Sequence, residues 1–176
     1  VSEKLPTREQ ALRILQEYKC SPEVIEHCKA VSKLALETAH ALKRKGFNID
    51  MTLVEIGALL HDIGRSVTHT VHHAVIGADL AEKANLPNSV ISIIKRHVGG
   101  GITADEAEAL DWPRDVYVPV TLEEKIVAYA DKLIEYADVA PIEVTIEKLR
   151  REGKHEAAER VRKLYDEITS LMGGDP

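Results

Sequence analysis

At three predicted starts of a helix or helical turn a threonine is followed three residues later by Gln or Glu: Thr7 with Gln10, Thr103 with Glu106 and Thr121 with Glu124. Such a pair forms a capping box, in which each side chain satisfies a backbone N–H that the first turn of a helix leaves unpaired. After Thr7, the residues Leu12, Leu15 and Tyr18 recur at helical spacing and predict a helix over about 7–19. Ser21-Pro22 supplies an N-cap with proline at the first helical position, and Val24, Cys28, Val31 and Ala35 line one face of a long second helix closed by Gly46. Asp50 caps a third, with Leu53, Ile56, Gly57 and Leu60 inward, ending in His61-Asp62-Ile63-Gly64. A fourth helix runs from His73 to about Ala84, and a fifth from Pro87-Asn88 through Val98, where Gly99-Gly100-Gly101 breaks it.

Thr103 with Glu106 predicts a short capped turn. Thr121 opens a helix to about Val139 that carries Ile126, Val127, Ala130, Leu133 and Ile134, with Pro141 ending it. From Ile142 to Met172, apolar residues at helical spacing among many charges predict two surface helices, and Gly173-Gly174 begins a loose tail. No alternating strand pattern, internal repeat or dividing linker appears, so the expectation is all-α: one helical domain over 1–176, its core at about 20–140 and its C-terminal helices at about 142–172.

Only 4% of the 176 residues are aromatic against 44% hydrophobic overall, so the core must be built from Leu, Ile, Val and Ala, which suits helix-on-helix packing. A net charge of −6 argues against a nucleic-acid surface working through bulk positive charge and favours a small substrate. Cys20 and Cys28 form no CxxC pair and read as reduced packing residues. The start, Val1-Ser2-Glu3-Lys4, carries no basic-then-apolar leader, and no apolar run approaches the ~20 residues of a bilayer span. A cytoplasmic protein without a membrane partner is expected. Asp111 to Pro119, with Trp112 and Tyr117, reads as an ordered loop bordering a pocket; the two rings read as packing, with base stacking as the alternative.

The constraint on function comes from polar residues on apolar stripes. His27 has Val24 and Val31 at i−3 and i+4, His61 follows the buried stripe of helix three, and Asp131 lies between Val127 and Ile134. An ionised carboxylate in an apolar interior costs several kcal/mol unless paired or bound to a cation. A divalent metal held by imidazole and carboxylate meets that demand and leaves positions open for water.

In the order His27, His61-Asp62, Asp131, with His61 to Gly64 reading HDIG, the chain resembles the HD superfamily of metal-dependent phosphohydrolases over roughly 20–140. The resemblance implies a helical bundle of the HD-domain type. In it His27, His61, Asp62 and Asp131 hold one divalent ion (Mn, Fe, Co, Ni, Zn or Mg) and Asp62 bridges to a second. For the second ion it offers His73, which opens the helix after HDIG, and His97; His72 and His69 are assigned to solvent or the rim. The chain is most similar to small stand-alone members, some of which hydrolyse diadenosine tetraphosphate, although Val98 stands where threonine is expected in that group. The Gly-Tyr-Pro signature of cyclic dinucleotide phosphodiesterases and the Glu-Asp pair of guanosine tetraphosphate hydrolases are both missing.

The implied activity is cleavage of a phosphate ester or anhydride bond in a nucleotide or similar small metabolite by a metal-activated water. Asp62 sits at the centre, and Arg65 and Lys132 are expected to contact non-bridging phosphate oxygens. Rivals are a non-catalytic HD-type signalling or scaffold module, which would be expected to lack a ligand, and a di-iron oxygenase. The charged C-terminal helices are candidate homodimer contacts.

Overall fold

The computed structural model describes residues 4–173. The leaderless reading of Val1 to Glu3 and the tail from Gly174 onward lie outside the described residues. Threonine and serine caps start the helices where their side chains predict. In α1 (Arg8–Glu17), the Gln10 amide donates to the Thr7 hydroxyl while the Gln10 side chain answers the Thr7 amide. In α2 (Pro22–Arg44), the Val24 amide donates to Ser21, and in α3 (Met51–Leu60) the Leu53 amide donates to Asp50. There follow α4 (His73–Lys83), α5 (Asn88–Lys95), α6 (Ala104–Ala109) and α7 (Leu122–Leu133), the last two opened by complete capping boxes. α8 (Ile142–Arg151) and α9 (His155–Leu171) complete the bundle. The fold is all-α apart from one small hairpin, and no helix among the described residues is long and apolar enough to cross a membrane.

Aliphatic side chains fill the centre. Val31, Ala35 and Leu42 of α2 meet Val54 and Ala58 of α3 and Ile126, Val127 and Ala130 of α7. The C-terminal helices do more than cover the surface, because Ile146 of α8 and Val161 and Ile168 of α9 enter this same core. A second cluster joins Leu15 of α1, Cys28, Ile56, Leu60, Ile63 and Ile94. Cys20 and Cys28 are free and buried. Trp112 and Tyr117 pack edge to face inside a third cluster, as a packing role requires.

Two elements differ from expectation. α7 stops at Leu133, and residues 134–139 form an antiparallel hairpin, β1 (Ile134–Glu135) with β2 (Asp138–Val139), instead of two more helical turns. Tyr136 at its turn has φ +57°, a left-handed conformation that costs non-glycine residues roughly 1–2 kcal/mol. The freed end of α7 is satisfied from outside: the Ala140 amide donates to the Leu133 carbonyl, and the Thr145 hydroxyl to that of Lys132. Second, α5 ends at Lys95, so His97 sits in the turn beyond it rather than within a fifth helix running through Val98.

Gly64 explains how α4 reaches the centre of the molecule. A Cβ there would collide with the His73 carbonyl oxygen and crowd the Gly77 amide at 2.8 Å, so only glycine lets the two backbones touch. His73 is thereby brought beside Asp62.

Candidate metal centre

His61 is the C-cap of α3 and Asp62 follows it into a short 3-10 turn, Ile63–Ser66. Around them stand His27 from α2, His73 at the start of α4, His97 beyond α5 and Asp131 from α7. Each imidazole is oriented the same way. His61 Nδ1 lies 2.6 Å from the Ala58 carbonyl, His73 Nδ1 2.7 Å from that of Thr70 and His97 Nδ1 2.6 Å from that of Ile94. His27 Nδ1 lies 2.6 Å from the Tyr136 carbonyl. A carbonyl only accepts, so every Nδ1 carries a proton, and each ring, when neutral, turns the bare lone pair of Nε2 toward the centre.

The donor atoms fall into two groups that share one carboxylate. His27, His61, Asp62 and Asp131 can each place a ligand atom within 4.8 Å of the others, and so can Asp62, His73 and His97. Asp62 Oδ2 is 3.5 Å from Nε2 of both His27 and His61, while Oδ1 is 3.2 Å from Nε2 of both His73 and His97. Asp131 Oδ1 lies 3.0 Å from His27 Nε2 and 3.3 Å from His61 Nε2. His72 and His69 are exposed and outside both groups; the Trp112 indole donates to His72 Nδ1, and the His69 carbonyl accepts from Arg65.

Arg65 and Lys132 are turned onto the carboxylates. Arg65 Nε donates to Asp62 Oδ2 at 3.1 Å, and Lys132 Nζ to Asp131 Oδ2 at 2.7 Å. Arg96, one residue before His97, grips the buried Glu124 of α7 with both carboxylate oxygens at 3.0 and 3.1 Å, tying the His97 turn to the helix that carries Asp131.

The electrostatics ask for positive charge at the centre. Burial pushes the Asp62 carboxyl up, but His61, His73 and His97 bring it well below the usual carboxylate range. Burial likewise raises Asp131, and Lys132, His27 and His61 pull it far down. Both aspartates are therefore ionised, Asp62 buried and Asp131 with its side chain 11% exposed. Burial takes His97 down to about 4 and leaves it neutral, whereas at His61 burial is outweighed by Asp62, Cys28 and Asp131 acting together, which raise the imidazole well above its ordinary value. Asp62 Oδ1 has no hydrogen-bond partner among the described residues, and the two Nε2 atoms beside it face each other at 3.1 Å with lone pairs opposed. An orphaned carboxylate oxygen between opposed lone pairs is costly as it stands and fits a divalent cation.

Sequence reasoning did not identify the four carbonyls that aim the rings. For His61 and His97 a signal existed: each sits three residues after a carbonyl in the last turn of a helix, where carbonyls lack amide partners. For Tyr136, 109 residues from His27, there was none.

An all-α bundle with imidazoles and aspartates gathered from five helices and their ends defines the class. Residues 24–135 match the HD domain, and the chain belongs to that family, whose resemblance implied metal-dependent phosphohydrolase chemistry. It is 46% identical over 166 residues to an uncharacterized protein of Methanocaldococcus jannaschii, across 93% of this chain and 98% of that one. To a tRNA (cytidine(56)-2'-O)-methyltransferase of Picrophilus torridus it is 38% identical over 97% of its own length but spans only 49% of that relative. With a ribonuclease Y of Acidothermus cellulolyticus it shares 31% identity over 130 residues, 26% of that protein. The fold matches the HD domain of the L. monocytogenes phosphodiesterase PgpH, solved in complex with cyclic-di-AMP, at TM-score 0.56 and 18% identity, covering 95% of this chain and 99% of that one.

Proposed function

We propose that this chain is a metal-dependent phosphohydrolase acting on a phosphate ester or anhydride bond of a nucleotide or similar small phosphorylated metabolite. The observation that carries the reading is the two-sided use of Asp62, whose oxygens each face a pair of Nε2 lone pairs. His27, His61, Asp62 and Asp131 would hold one divalent ion, and Asp62, His73 and His97 a second. Bound there, such ions supply a water acidic enough to attack near neutral pH and neutralise phosphoryl charge.

The chain's own groups do the rest. The four carbonyls hold the imidazoles in one tautomer, Lys132 helps keep Asp131 ionised, and Arg65 and Lys132 fix the two aspartates in rotation. Arg65 is about one-third exposed, its side chain at 31%, and donates to Asp62 and the His69 carbonyl, so further guanidinium N–H groups remain for a phosphoryl oxygen. Lys132 likewise spends one of three donors on Asp131. The centre opens on the side of His27, Asp131, Lys132 and Arg65, because His61, His73 and His97 are sealed in the interior.

Purified protein should contain divalent metal by elemental analysis. With Mn, Co or Ni it should hydrolyse at least one member of a panel of nucleoside mono-, di- and cyclic phosphates and dinucleoside polyphosphates. His61→Ala or Asp62→Ala should abolish that turnover while leaving the helical circular dichroism intact. Full activity in either variant without bound metal would end the reading.

A further inference from the structure

We propose that Tyr136 is a specificity-determining residue whose ring stacks on the nucleobase of the substrate; this rests on the nucleotide phosphohydrolase reading above and names the part of the substrate the protein grips. The described non-glycine residues with positive φ are Lys19, Asn85, Asp111 and Tyr136. Lys19, Asn85 and Asp111 each follow the C-cap of a helix, at the position where left-handed backbone is the ordinary way to stop. Tyr136 has no such explanation. It is a β-favouring aromatic residue in a hairpin turn where glycine or asparagine would sit without strain.

Nothing in the fold repays that choice of side chain. Tyr136 is 85% exposed, the highest among the exposed large hydrophobic residues, and its ring makes no aromatic contact and its phenol no hydrogen bond among the described residues. The turn itself needs only the backbone, since it is the Tyr136 carbonyl that holds His27 Nδ1. That bond holds the Tyr136 backbone against His27, the most exposed imidazole of the centre. A strained, solvated aromatic residue next to a phosphate-handling site has the chemistry to stack on a flat heterocycle, and such stacking tolerates any base.

The test separates base from phosphate. Adenosine 5′-(α,β-methylene)diphosphate and methylenediphosphonate carry the same unhydrolysable phosphate linkage with and without a base, and both are titrated calorimetrically into metal-loaded full chain. Wild type should bind the nucleotide more tightly than methylenediphosphonate. Tyr136→Gly should weaken the nucleotide by roughly 5- to 150-fold more than it weakens methylenediphosphonate, and raise Tm because the turn is relieved. Tyr136→Trp should restore nucleotide affinity. Equal nucleotide affinity in wild type and Tyr136→Gly, no preference of wild type for the base, or parallel loss of both probes would each overturn the assignment. Should wild type bind neither probe, the phosphohydrolase reading fails and this assignment with it, an outcome distinct from the other three.

Discussion

Asp62 serves two sets of imidazoles with one carboxylate, and the consequence is measurable as stoichiometry. Removing His97 takes one ligand from the group that Asp62 completes with His73, yet leaves His27, His61, Asp62 and Asp131 whole. His97→Ala should therefore reduce bound metal from two ions per chain to one, and Asp62→Ala should lose both, as read by elemental analysis after exhaustive dialysis. Two ions in the first variant, or one in the second, would show that the carboxylate does not bridge. At this scale much of the centre was legible. His27, His61 and Asp131 lie on apolar stripes, and a helical wheel aims them inward. His97 reached the centre by another route: α5 ends before it, and the Arg96–Glu124 pair pins the turn that carries it. Arg65 and Lys132 were expected at phosphate oxygens, but spacing along a helix says nothing about a carboxylate 2.7 to 3.1 Å away competing for the same donors.

The elements begin where their caps say and end where tertiary contacts allow. Every capping box read from Thr7, Thr103 and Thr121 forms, because both partners are three residues apart and need nothing else. The hairpin after α7 was not legible: Ile134 to Val139 contains no glycine, proline or asparagine, and the turn is held by a long-range bond to His27. The box at α6 also has a tertiary partner. Glu106 accepts from Arg160 of α9 as well as from the Thr103 amide. Burial alone would raise its pKa, but the Thr103 backbone and the Arg160 guanidinium bring it below 4.5. A depressed folded value means that the charge stabilises the fold above the unfolded pKa, and that this contribution is lost as pH falls through the folded one. Glutamine preserves the box and removes the charge. Glu106→Gln should thus lower stability at pH 7 by no more than about 1 kcal/mol, with the deficit vanishing at acid pH where both states are protonated. A deficit that persists unchanged in acid melts would assign the effect to packing.

For the whole molecule, the proposed metal centre would act as a cross-brace. The residues that would hold it come from α2, the end of α3, the start of α4, the turn after α5 and α7, elements that between them carry much of both aliphatic clusters. Those clusters are complete without a cation, so the bundle should remain helical when metal is withdrawn, unlike a small domain folded around zinc. What changes is the cost of two ionised carboxylates in the interior. A ligand present at 100 times its dissociation constant stabilises the folded state by about 2.7 kcal/mol. In a chain of this length each kcal/mol moves Tm by roughly 2–4 °C, so chelation should lower Tm by about 5–11 °C for each ion removed, with little loss of far-ultraviolet ellipticity, and added Mn should restore it. Asp62→Ala should melt at one temperature with or without chelator, since it has lost the carboxylate that both ions share. A wild-type Tm indifferent to chelator would mean that the aspartates are balanced by the protein's own cations, Arg65 and Lys132, and that the centre is not built around metal, whereas a chelator-sensitive Asp62→Ala would mean that an ion is held without the shared carboxylate.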